Sequence, residues 1–284
     1  MALSLGLFDR MKARKTRFQE ILRLLGAVDG QSCLDLVNDP AFSMNLRRIH
    51  QVKGCRWHSA GRNQQQVDYL KAMGADQVTL VENSELPFEN SSFDAIVISD
   101  FMEYETMDEK LVAECHRVLK LSGRLIISVP RAGRWSFLRS LREWFGLFDK
   151  QHGPVREGYS ESQLFVVLKD GFDVQESRTV IRFFVALTDI FCQLMTGYAA
   201  SEVETAGAGS EDRKRKAWRY YSALKPLFWV ASLLDLLLVF ANGYYIMARA
   251  KRRMWVPRRT PVLRDGRSIA EAALQTKIGT AAPF

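Results

Sequence analysis

The sequence predicts an α/β fold, a doubly wound, mostly parallel sheet with helices on both faces, and three observations predict it. Short apolar runs alternate with helical patterns from residue 32 to residue 130. Within that stretch, Leu111, Cys115, Val118 and Leu119 fall on one helical stripe, Ser122-Gly123 supplies a stop, and the run RLIISVP at 124–130 reads as a buried strand. Finally, 284 residues with 47% hydrophobic content suffice for one large core plus an appendage.

Residues 1–30 form an N-terminal helical segment in which Phe18, Ile21, Leu22 and Leu25 fall at helical spacing, Gly26 and Gly30 end the helix, and the basic face is expected to be solvated. The core spans 31–182, with strands at 32–37, 56–59, 77–81, 94–99 and 124–129 and helices at 64–73 and 108–119. After Pro130, 135–148 reads as an amphipathic helix, 160–169 as another ending at Gly171, and 172–181 as a strand. An apolar helical insertion occupies 183–241: an aromatic helix at 183–200, a flexible neck of Gly, Ala and Ser at 201–210, a charged run at 211–216 and a Leu-rich helix at 226–240. Residues 242–253 return as the last strand of the core, and 254–284 read as a basic, disordered tail.

Forty Lys and Arg against thirty-two Asp and Glu give a net charge of +8, with clusters at 12–17, 213–219, 249–253 and 258–267. Such clusters favour anionic partners, yet no nucleic-acid reading motif accompanies them, so a nucleic-acid partner is not expected. Cys33, Cys55, Cys115 and Cys192 show neither CxxC spacing nor histidines at ligand intervals, which argues against a metal site and a disulfide framework and fits a reducing, cytoplasmic setting. The first ten residues are too short an apolar run for a secretory signal.

The most specific pattern is LPF at 86–88, SFDAIVI at 92–98, ECHRVLK at 114–120 and GRLIISVP at 123–130. In order and spacing it resembles the class I S-adenosylmethionine-dependent methyltransferases of the type 11 group. The stretch 152–171 and the run 243–250 resemble that group's approach to its sixth strand and its last strand. The resemblance implies a seven-stranded sheet, only the last strand antiparallel, with the methyl donor across the carboxyl ends of the strands. The general rule for open α/β sheets places ligands in the same crevice.

By the same resemblance, Asp35 occupies the acidic position at the end of the first strand, while Val37, Asp39 and Ala41 stand where the group has the glycines of its donor loop. Glycine lets backbone approach a ligand closely, so a β-branched Val37 and a charged Asp39 narrow the turn and add negative charge. Where the group carries a ribose-binding acid, this chain offers Trp57-His58-Ser59, and His58 accepts at one nitrogen at most. Glu82, followed by Asn83, matches the acidic position near the adenine, and Asp100 and Phe101 match positions facing donor and acceptor. Asp35, Glu82 and Asp100 can equally cap turns. Methyl transfer needs alignment for in-line displacement, and a general base only if the acceptor must lose a proton; Tyr104, Glu103 and His152 are the candidates.

Two functions stand at this point: a methyltransferase for a small-molecule or lipid-like acceptor, and a non-catalytic relative that keeps the fold for binding or scaffolding. The insertion also has two readings, a lid over the acceptor pocket or a contact with an anionic membrane surface. A transmembrane helix near 226–248 is disfavoured by Asp235 in mid-run, by the turn signal Asn242-Gly243, and by the last strand that follows.

Overall fold

A computed structural model describes residues 8, 10–51, 54–132, 144, 155–181, 183–196, 208–237 and 243–254. The chain divides into two units, Met1–Arg253 and Met254–Phe284, and the fold below is that of the first. The helix expected at 135–148 (Trp144 apart), His152, most of the neck at 201–210 and the tail lie outside the described residues.

The elements in chain order are α1 (Lys12–Leu25), β1 (Ser32–Val37), α2 (Pro40–Gln51), β2 (Arg56–Gly61), α3 (Gln64–Ala72), β3 (Val78–Leu80), β4 (Phe93–Ser99), a 3-10 turn (Met102–Tyr104), α4 (Asp108–Val118) and β5 (Leu119–Pro130). There follow α5 (Glu161–Leu168), β6 (Phe172–Val180), α6 (Phe183–Thr196), α7 (Ala208–Ala223), α8 (Lys225–Leu237) and β7 (Tyr245–Arg252). The seven strands form one sheet in the order β3-β2-β1-β4-β5-β7-β6. β1 pairs with β2 and β4 in parallel, β4 with β5 in parallel, and β7 runs antiparallel between β5 and β6.

Alternation along the strands divides the core between the two faces of the sheet. Leu34, Leu36, Ile96, Ile98 and Ile127 join Leu111, Leu164 and Phe172 on one face, where α4 and α5 pack. Cys33, Ala95, Val97, Ile126 and Met247 join Phe18, Ile21 and Phe42 on the other, beneath α1 and α2. Phe8, Phe18 and Phe42 meet edge to face with centroids 5.1 to 6.0 Å apart, fastening the N-terminal segment to α2.

Several expectations need correcting. β2 continues to Gly61, past Ser59, because Ser59 to Gly61 pair with β3. β5 starts at Leu119, so Gly123 lies inside the strand and ends no helix; a Cβ there would meet Leu119 Cγ at 2.6 Å. The charged run 211–216 belongs to a 16-residue helix, α7. Asp235, the charge in mid-run, is buried because it caps a neighbouring helix: its carboxylate accepts from Phe184 N at 2.8 Å and Val185 N at 3.1 Å at the start of α6. Among the described residues no helix is long and apolar enough to cross a membrane.

Candidate functional site

The carboxyl ends of β1, β2 and β4 lie side by side in the sheet and are followed by the turn Asn38-Asp39, by Arg62 and by Asp100; the general rule for open α/β sheets puts the ligand crevice at these ends. Asp39 and Pro40 set the start of α2. Asp39 takes the N-cap position, its carboxylate accepting from Ala41 N at 3.0 Å, and Pro40 follows where its missing N–H costs nothing. Asn38 is buried: its N–H donates to Ser99 O at 3.3 Å, and its side-chain oxygen accepts from Gln66 Nε2 at 2.6 Å. Gln66 in turn accepts from Arg62 N at 2.9 Å, which fixes the ends of β1 and β2 together.

Helix α1 reaches into this crevice. Arg14 pairs with Asp39 at 3.3 Å, and Arg17 pairs with Asp100 while donating to Ser99 Oγ at 2.8 Å. The Arg17 guanidinium also lies 4.0 Å from the centroid of the Tyr245 ring. Arg17 is buried, which corrects the expectation that the basic face of this helix is solvated. Burial pushes the Asp39 carboxyl above its usual range, Arg14 opposes the shift and Asp100 adds to it, so Asp39 and Asp100 lie within each other's field. On the opposite side, the Arg62 guanidinium stacks 4.2 Å from the Tyr104 centroid, bridging the end of β2 to the turn after β4.

Asp35 lies elsewhere. It points from β1 beneath α2, fully buried, where Ser43 donates to its carboxylate; Ser43 also meets Ser59 Oγ at 2.9 Å, and Arg47 donates to that oxygen at 2.9 Å. Burial raises the Asp35 carboxyl, with Arg47 and the hydroxyls opposing. His58 sits within β2, three residues before its end, between the rings of Phe88 and Phe93 at 5.8 and 5.3 Å. Burial, then Arg47 and Arg56, lowers its imidazole below the ordinary range. The end of that strand, where the ribose-binding acid belongs, is Gly61-Arg62.

Glu82 and Asn83 are exposed beyond β3, and Glu82 lines an open cleft of about 470 Å³ with Glu85, Leu86 and Arg117. Phe101 is fully buried in the main core, while Asp100 adopts a left-handed backbone, φ 51°, at the crevice edge. Glu103 is buried, and its carbonyl accepts from Val155 N at 2.8 Å and Arg156 N at 3.2 Å. The structure therefore brings Asp39, Asp100 and Tyr104 to the crevice with Arg14, Arg17 and Arg62. Asp35, His58 and Phe101 are packed into the protein around it. The three arginines are the residues that sequence reasoning missed, although Arg17 next to Phe18 and four residues before Ile21 places a cation on an apolar stripe.

The crevice residues fit part of S-adenosylmethionine. Asp100 Oδ1, Arg17 Nε and Arg62 Nε are buried without a hydrogen-bond partner in the protein. Buried polar atoms of this kind call for a partner. An amino-acid end, with ammonium and carboxylate, and a ribose supply complementary donors and acceptors. The ribose side lacks the bidentate acid, with Gly61 at that place.

The fold is that of the class I methyltransferases, and the comparisons with known proteins agree. Residues 47–127 match the family model described as a methyltransferase domain, Methyltransf_11. Geranyl diphosphate methyltransferase in complex with S-adenosylmethionine superposes with a TM-score of 0.52 at 14% identity, over 84% of this chain and 86% of that one. Geranyl diphosphate C-methyltransferase from Streptomyces coelicolor A3(2) gives 0.50 at 12% identity, over 84% and 78%. The [4+2]-cyclase SpnF gives 0.52 at 15% identity, over 84% and 82%. No curated protein sequence matches the chain. The match to the methyltransferase-domain model is confined to residues 47–127, and what these solved structures share with the chain is the fold.

Proposed function

We propose that the protein transfers the methyl group of S-adenosylmethionine to a small-molecule or lipid-like acceptor. The observation that carries the reading is the crevice at the ends of β1 and β4, where Asp100 and Arg17 hold buried polar atoms without protein partners. The donor supplies an electrophilic methyl. The protein's part would be to orient: Asp100 would hold the ammonium, Arg17 and Arg14 the carboxylate, and Arg62 and Tyr104 would stand on the sugar side. Proximity of this kind supplies much of a methyl transfer's acceleration. Tyr104 is our candidate to accept an acceptor proton. Two of the solved structures of this fold are named as geranyl diphosphate methyltransferases, and the apolar helices α6 and α8 support an apolar acceptor here. The same helices support work at an anionic membrane surface.

One observation favours a second reading, in which the fold is kept without methyl transfer. The Asp39 carboxylate caps α2 and pairs with Arg14, so the protein fills with its own anion the place at a helix start that suits a ligand's carboxylate. Calorimetric titration with S-adenosylmethionine separates the two. Binding is expected for the wild type and about tenfold weaker binding for Asp100→Asn. Absence of both heat and thermal protection in the wild type rejects the first reading. Labelled methyl groups partitioning into the organic phase of a reacted extract identify a lipid-like acceptor; label in the aqueous phase identifies a polar one.

A further inference from the structure

Helices α6, α7 and α8 form the appendage between β6 and β7, and the surfaces of α6 and α8 invert the usual arrangement. An ordinary surface helix turns polar residues outward. The exposed positions of α6 are Leu187, Phe191 and Met195, and all three are apolar. Beyond Lys225, every exposed position of α8 is apolar too, with Trp229 66% and Leu237 78% accessible. The polar side chains of α8 beyond Lys225 are taken up within the protein: Ser232, half-buried, donates to Phe228 O of its own helix at 2.8 Å, and Asp235 caps α6. α6 and α8 pack on each other, so the two apolar surfaces belong to one patch, the kind that marks an interaction site.

The remaining helix supplies the opposite chemistry. Arg213, Arg215, Lys216 and Arg219 are exposed on α7, with Trp218 and Tyr220 beside them and, among the described side chains, Asp212 as the exposed acid. Outward leucines and a tryptophan next to a basic helix with interfacial aromatics are what a protein lying on an anionic bilayer presents. Basic side chains near such a surface add to the attraction one by one and lose their effect on neutral lipid. The 13 described residues of α8 span about 20 Å, short of the ~30 Å hydrocarbon core, a length that suits lying along a surface.

We infer that α6 and α8 form a membrane-docking face that inserts into the headgroup boundary of an anionic lipid bilayer, with the cations of α7 contacting the headgroups. The inference rests on the lipid-like half of the proposed function, and its test needs neither donor nor turnover, so the two can fail separately.

The test is flotation of the full chain with phosphatidylcholine vesicles, with and without phosphatidylserine. The wild type is expected to float with the mixed vesicles and far less with neutral ones. Trp229→Glu with Leu237→Glu abolishes flotation, and Arg215→Glu with Arg219→Glu lowers it about tenfold on the mixed vesicles alone. All four side chains are exposed, so thermal unfolding should stay near that of the wild type. Phe191→Glu reads the same face from α6 if the α8 variant is unstable. A wild type that floats with neither vesicle overturns the inference. So does a wild-type dimer that Trp229→Glu converts to monomer by light scattering, since the face then belongs to a second copy.

Discussion

The turn after β1 and the passage from β4 to β5 are neighbours in the sheet, and they use their polar residues differently. In the passage, Asp94 accepts from Lys120 at 2.8 Å and from Ser32 N at 3.0 Å, and Glu114 accepts from Arg117 and Leu86 N. These contacts tie elements together around an apolar interior and ask nothing of a ligand. At the turn, Asp39 does for α2 what a bound anion would do, and Asn38 is locked by Gln66. A helix start needs its N–H groups satisfied, and a carboxylate of the chain meets that need as well as a ligand does. The fold is therefore indifferent to which is used, whereas donor binding is not.

The largest break in this comparison comes from the passage. Ile126→Ala, in the interior strand β5 beneath α1 and α2, should cost about 3 kcal/mol, read by denaturant unfolding, with donor affinity of the folded fraction unchanged. Next comes Val37→Gly with Asp39→Gly. It should strengthen S-adenosylmethionine binding about tenfold by calorimetry while costing ~1 kcal/mol, mostly from the backbone freedom of a glycine at 37, since glycine is itself a tolerated cap at 39. If stability falls and affinity does not move, the turn serves only the fold. The smallest effect is that of Asp35→Asn. Burial raises the folded pKa of Asp35, so the ionised form penalises folding as pH rises through that value. The variant should melt about 2 °C higher than the wild type near pH 8, and the difference should vanish below the unfolded carboxyl pKa, where both states are protonated.

The sheet was legible because strands buried on both faces write long apolar runs, as 94–99 and 124–130 do. Helix α2 was not, although Asp39-Pro40 is an N-cap followed by an N1 proline; in the family pattern the same positions carry a glycine loop, which masks the signal. His58 was misplaced because strand length is set by pairing, and Ser59 to Gly61 find partners in β3. The ion pairs of Arg14 and Arg17 join positions far apart in sequence, and periodicity contains nothing about such partners. Asp235 looked like a fault in an apolar run until its carboxylate was seen at the start of α6. By contrast, the leucines and aromatics of α6 and α8 were plain in the sequence, and only burial showed that so many face outward.

β6 and β7 are hydrogen-bonded neighbours up to Val180 opposite Tyr245. The chain leaves and returns at one spot: Tyr244 N donates to Ile181 O at 2.7 Å, and a Cβ on Gly243 would meet Val180 O at 2.4 Å. All three appendage helices thus hang from what is, in the sheet's own geometry, an ordinary hairpin. The ends of the excursion are already closed by strand pairing, so its length adds only a slowly growing entropic cost. An appendage attached this way can be lengthened, shortened or exchanged for a tight turn without shifting the sheet's register, which makes it the part of the molecule freest to acquire a new surface.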